Sequence, residues 1–127
     1  MKKLTPVLVV DSVEPSAAFW RDRLGFEQHL SVPHGDQLGF VGLTRDGVEI
    51  MYQTRASVGD DMPALAEGPY RSMLFIEVGD LDAVERAMEG AEIVTPRRQT
   101  FYGMDEIAVR DPAGNVVVFA QPTGTGE

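Results

Sequence analysis

The chain has no cysteine, so thiol nucleophiles, thiolate metal sites and disulfide staples are all excluded. Histidine is scarce too, with two in 127 residues. His29 and His34 fall on a predicted strand and turn and are not placed to face one site, so both read as exposed or structurally bonded. No Ser/His/Asp set is recognisable from spacing. Basic residues are outnumbered, 11 against 20 acidic, for a net charge of −9. A nucleic-acid backbone partner needs a basic face and is not expected, whereas a cationic ligand stays open. No apolar run approaches the length needed to span a bilayer, so no membrane partner is expected. The opening MKKLTPVLVVD reads as a first strand rather than a secretory leader, because Asp11 interrupts the apolar run early. A cytoplasmic protein of one domain, residues 1–127, is the expectation.

What is present is organised around Val109 to Gln121, VRDPAGNVVVFAQ. Pro112 presets φ for a turn, Gly114 suits a positive φ, and Asp111 can fold its carboxylate back onto the turn N–H groups. The unbroken apolar run Val116 to Ala120 then predicts a strand covered on both faces.

Taken in order, Leu4–Val10 predicts a strand, and DSVEPSAAFWRDRLGF a helix capped by Asp11 or Ser12 and ended at Gly25. Ala18, Phe19, Trp20 and Leu24 give that helix an apolar stripe, which makes Trp20 a core residue. Strands follow at Glu27–Val32, Gln37–Leu43 and Val48–Gln53. Residues 54–71 read as a linker, with a possible helical turn at Ala64–Glu67. The pattern then restarts: strand Ser72–Val78, helix Leu81–Met88, strands at Ala91–Val94 and Gly103–Arg110, then the turn and strand above. Asp11 echoes Asp80, Gly25 echoes Gly90, and Arg45-Asp46 echoes Arg110-Asp111, at offsets of 65 to 69 residues. The predicted fold is α+β, built of two βαβββ modules, residues 1–55 and 70–122. Each is too small to bury its own sheet alone.

The stretches VVDSVEPSAAFWRDRLGFE and DPAGNVVVFAQP resemble the vicinal oxygen chelate superfamily, which includes glyoxalase I, extradiol dioxygenases, and fosfomycin- and bleomycin-resistance proteins. The resemblance covers nearly the whole chain. It implies a cupped mixed sheet of glyoxalase/bleomycin-resistance type, completed by a second subunit, with a ligand inside the cup. Metal-dependent members carry one His, Glu or Gln at each of four strand positions. Carried over, these fall on Leu4, Glu49, Met73 and Val118, or with a one-residue slip on Thr5, Ile50, Leu74 and Val117. A lone carboxylate cannot hold a divalent ion, so neither metal nor cofactor is expected.

Strand alternation assigns Val7, Val9, Val48, Ile50, Leu74, Ile76, Val78, Ile107 and Val109 to the helix-packed side. Pro6, Leu8, Glu49, Met51, Gln53, Met73, Phe75, Glu77, Glu106 and Ala108 fall on the other. Three glutamates on an apolar face suit a cationic guest, and Tyr52, Phe75, Phe101 or Tyr102 can stack on it. Crowded like charges there should raise at least one carboxyl pKa. The predicted ligand-binding set is Glu49, Met51, Gln53, Phe75, Glu77, Tyr102 and Glu106. The function expected is metal-independent binding or sequestration of a small cationic or aromatic molecule, in a cleft of a homodimer. The alternatives are a metal-dependent lyase, isomerase or dioxygenase, with Glu49, Glu77 and Glu106 as a relocated ligand set, and a non-catalytic structural or regulatory domain.

Overall fold

The computed structural model describes residues 3–63 and 71–124. The chain divides into two compact units, Met1–Tyr70 and Arg71–Glu127. Each carries a four-stranded mixed sheet in βαβββ order, as predicted.

In the first unit, β1 (Val7–Val10) lies parallel to β4 (Val48–Thr54). The antiparallel strands β3 (Gln37–Arg45) and β2 (Glu27–His34) complete the order β1-β4-β3-β2. Helix α1 (Val13–Leu24) packs on the face formed by Leu8, Val10, Val41, Leu43, Ile50 and Tyr52, all buried. Trp20 is completely buried; its indole N–H donates to the Tyr52 hydroxyl at 2.7 Å, and Phe26 meets it edge-on at 5.1 Å. A buried indole needs such an acceptor, which fixes how the helix sits on the sheet. Ser12 occupies the N-cap position, but its hydroxyl bonds Glu14 rather than the backbone. At the other end the Arg45 guanidinium bonds the Leu24 carbonyl, satisfying one of the acceptors that a helix terminus leaves open.

Two expectations need correction here. The face of β1 is reversed: Val7 pairs with Met51 and is about half exposed, while Leu8 pairs with Tyr52 and is buried. The run VLVV is apolar throughout, so it carries no alternation from which to read which side faces the helix. The predicted linker also contains α2 (Arg55–Asp61), capped by the Thr54 side chain accepting from Ser57 N–H at 3.1 Å. Gly59 and two aspartates make it a weak helix by propensity, so tertiary docking must hold it. Docking is visible: Gln53 donates to Ser57 Oγ at 3.0 Å, and His34 Nε2 meets Asp60 at 2.6 Å. The helical turn expected at Ala64–Glu67 lies outside the described residues.

In the second unit, β5 (Met73–Glu77) lies parallel to β8 (Val116–Pro122), followed by antiparallel β7 (Met104–Arg110) and β6 (Glu92–Gln99). Strand β6 continues through Pro96, past the predicted end at Val94. Helix α3 (Leu81–Ala87) is capped by Asp80, whose carboxylate accepts from Ala83 N–H at 3.1 Å. Arg97 of β6 bonds Asp82 and Glu85 of that helix, fastening the edge strand to it. Of the predicted run Val116 to Ala120, Val117 to Ala120 are all buried and Val116 is half-buried.

The turn before β8 is a hydrogen-bonded junction. Asp111 Oδ1 accepts from the N–H groups of Ala113 at 3.0 Å and Asn115 at 2.8 Å. The Asn115 side chain then accepts from Ser72 N–H at 2.7 Å, and Val116 N–H bonds the Ser72 carbonyl at 2.9 Å. One buried Asp thus closes the turn, and one buried Asn pins it to the entry of β5.

Candidate ligand-binding faces

On the first unit, Glu49, Met51 and Gln53 alternate along β4 on the face away from α1, with Phe40, Gly42 and Thr44 of β3 and Val7 and Val9 of β1. The Glu49 side chain is 7 % exposed and fully engaged. It accepts from the Lys3 ammonium, from Thr5 Oγ1 at 3.3 Å and, through Oε2, from His29 Nε2 at 2.8 Å. The Lys3 hydrogen bond, above all, holds its carboxyl below the usual range. Partial burial opposes this, and the Lys3 charge and the Thr5 and His29 bonds reinforce it. This is the opposite direction from crowding by like charges. A lowered carboxyl contributes stability above its unfolded-state pKa and loses it as pH falls through the folded value.

His29 reaches Glu49 because of two local irregularities. The register shifts between Gln28 and Leu30, leaving His29 as the extra residue of a β-bulge. Its ring then crosses the intervening strand at Gly42, where a Cβ would sit 3.1 Å from Nε2 and 3.2 Å from the Leu30 Cβ. Glycine at 42 is what clears the path. The sequence places the two histidines on a strand and a turn, with neither expected at a shared site. His34 does lie elsewhere, on Asp60, but His29 belongs to the Glu49 cluster.

On the second unit, register places Met73, Phe75 and Glu77 of β5 on one face with Val116, Val118 and Ala120 of β8 and Glu106 and Ala108 of β7. Glu77 and Glu106 flank Ala120 from opposite sides, so their backbones are about 10 Å apart, two strand spacings. Glu106 is buried, accepting from the Tyr102 hydroxyl and from Arg98 Nη2 at 3.4 Å. The bond to Glu106 raises the Tyr102 phenol pKa, with burial and the Glu106 charge adding to it. Phe101 is fully exposed at the tip of the β6–β7 hairpin, edge-on to Tyr102 at 5.1 Å. Glu77 is exposed and has no side-chain partner among the described residues. Met73 and Phe75 beside it are 73 % and 52 % exposed.

Two of the three predicted carboxylates therefore have cationic neighbours within their own unit, and Glu77 alone remains open. Sequence reading missed Lys3, Thr5, His29 and Arg98 as partners of these carboxylates; Thr5 entered only as a slipped metal position. No short-range signal marks the first three as neighbours of Glu49; Arg98 would have followed had β6 been extended past Pro96. Tyr52 is not a stacking platform, since it is completely buried against Trp20 on the helix-packed face. A groove of about 420 Å³ in the second unit lies on the helix side, between α3 and β6, lined by Met88, Ile93 and Arg97 among others. None of the predicted site residues lines it.

The four positions implied for a metal do not fit one. Leu4, Met73 and Val118 offer no donor, and both Glu49 oxygens are taken by other donors. Among the described residues, no three His, Asp or Glu side chains gather to hold an ion.

The model of the Glyoxalase/Bleomycin resistance protein/Dioxygenase superfamily matches residues 4–119. The chain belongs to that superfamily. No curated protein sequence matches it. Among solved structures, the bleomycin-binding protein from bleomycin-producing Streptomyces verticillus, complexed with copper(II)-bleomycin, is 30% identical. Its TM-score is 0.63, with 94% of each chain covered. TioX from Micromonospora sp. ML1 is similar at a TM-score of 0.79 and 19% identity, over 96% of this chain and 99% of that one. Lactoylglutathione lyase from Agrobacterium tumefaciens is similar at 0.76 and 18%, over 100% and 98%. The last two share the fold of this superfamily member and carry no argument about its chemistry. No described helix is long and apolar enough to cross a membrane.

Proposed function

We propose that this superfamily member is a metal-independent binding protein for a small aromatic cation, with a second copy of the chain completing the cleft. The observation that carries the reading is the face of β5, where exposed Met73 and Phe75 lead to Glu77, a carboxylate with no partner among the described residues. Apolar surface with one unneutralised charge suits a guest with a flat ring and a positive centre. The donor-poor metal positions support binding over metal chemistry. So does the 30% identity to a bleomycin-binding protein.

The test is calorimetric titration with N-methylacridinium and with neutral acridine, which share one ring system and differ in charge. Wild type should bind the cation more tightly. Glu77→Gln should weaken cation binding about three-fold, the modest size expected of an exposed charge pair, and leave acridine unchanged. The same protein should scatter light as a dimer. Equal affinity of wild type and variant for the cation would remove Glu77 from the site and the cation from the reading.

A further inference from the structure

We propose that His29 is a ligand contact of the first unit, a hydrogen-bond acceptor for an N–H or O–H group on the guest, set in place by Glu49. The inference rests on the binding reading above for the class of guest only, an aromatic cation, and concerns the sheet face of the first unit by itself. A guest held there should carry a donor. Glu49 is ionised, so it can only accept, and His29 Nε2 must supply the proton in their 2.8 Å bond. In its neutral form the imidazole is thereby fixed as the Nε2–H tautomer, with its lone pair on Nδ1. Nδ1 has no partner among the described residues, and the side chain is 33 % exposed. Exposed Val7, Leu30 and Val32 belong to the same sheet face, giving an apolar surround for one directed polar contact.

The charged groups at this position are Lys3 and Glu49, which bond each other as well, so the pair leaves His29 beside little net charge. The contact is one of direction rather than of charge. Glu49 acts here as a positioning residue: it sets the tautomer and orientation of the ring and does not itself meet the guest. Gly42 is part of the same device, because any side chain there would meet the ring.

Proflavine and acridine orange test the idea, being cations on one tricyclic ring. The amino groups of proflavine carry N–H donors, and those of acridine orange are dimethylated. Wild type should bind proflavine about five-fold more tightly, the margin of one net hydrogen bond. His29→Leu should abolish that margin, bringing the two dyes to equal affinity. A margin that survives His29→Leu overturns the inference and leaves the binding reading standing. If neither dye binds, the binding reading fails and the inference falls with it. Independently of any ligand, imidazole nitrogen shifts measured by NMR should show His29 as the Nε2–H tautomer in wild type and as a tautomer mixture in Glu49→Leu. An Nδ1–H tautomer in wild type contradicts the proposal outright.

Discussion

Asp111→Ala should destabilise the protein by about 3 kcal/mol in chemical denaturation. The substitution removes the acceptor of the Ala113 and Asn115 N–H groups at a buried site, and an unmet buried donor costs about 1–3 kcal/mol. It also frees Asn115, whose side-chain oxygen holds the entry of β5 through Ser72 N–H. Asp111→Asn is the control: its remaining oxygen can take over both backbone bonds, so the loss should be about 1 kcal/mol. If Ala and Asn variants are equally stable, the carboxylate does not organise the turn.

Gly39→Val should cost a similar amount, about 3 kcal/mol, and should act through α2. A Cβ at position 39 would lie 2.5 Å from the His34 Cβ and 3.2 Å from the Ser57 Cβ. Both neighbours are first side-chain atoms fixed by their backbones, so relief requires β2 or α2 to move. Movement would separate His34 from Asp60 and Gln53 from Ser57, the contacts that dock a helix of poor intrinsic propensity. Amide hydrogen exchange should therefore accelerate in residues 55–61 before the rest of the unit. A stable variant with α2 still protected would show that the close approach is not structural.

The parts of this fold legible in the sequence are those with chemistry of their own. DPAGN announces its turn because Asp, Pro, Gly and Asn each do something there that few residues can. Helix α3 is legible from Asp80 and its apolar spacing, and the repeat from its punctuation. What stayed hidden depends on parity or on partners far along the chain. The all-apolar VLVV hides the face of β1. The bulge at His29 shifts register by one residue, enough to send a side chain to the opposite face. Arg98 neighbours Glu106 through strand pairing, and Lys3, ahead of β1, reaches Glu49 from 46 residues away, so three glutamates looked equally open when only Glu77 is.

Metal independence of binding is the central claim, and one titration tests it most directly. Protein dialysed against a chelator, and shown by elemental analysis to carry no stoichiometric divalent ion, is titrated calorimetrically with N-methylacridinium. The account predicts saturable binding with the same affinity before dialysis, after dialysis, and after zinc, nickel, manganese or iron is added back. Binding that disappears on dialysis and returns only with one of those ions would contradict it.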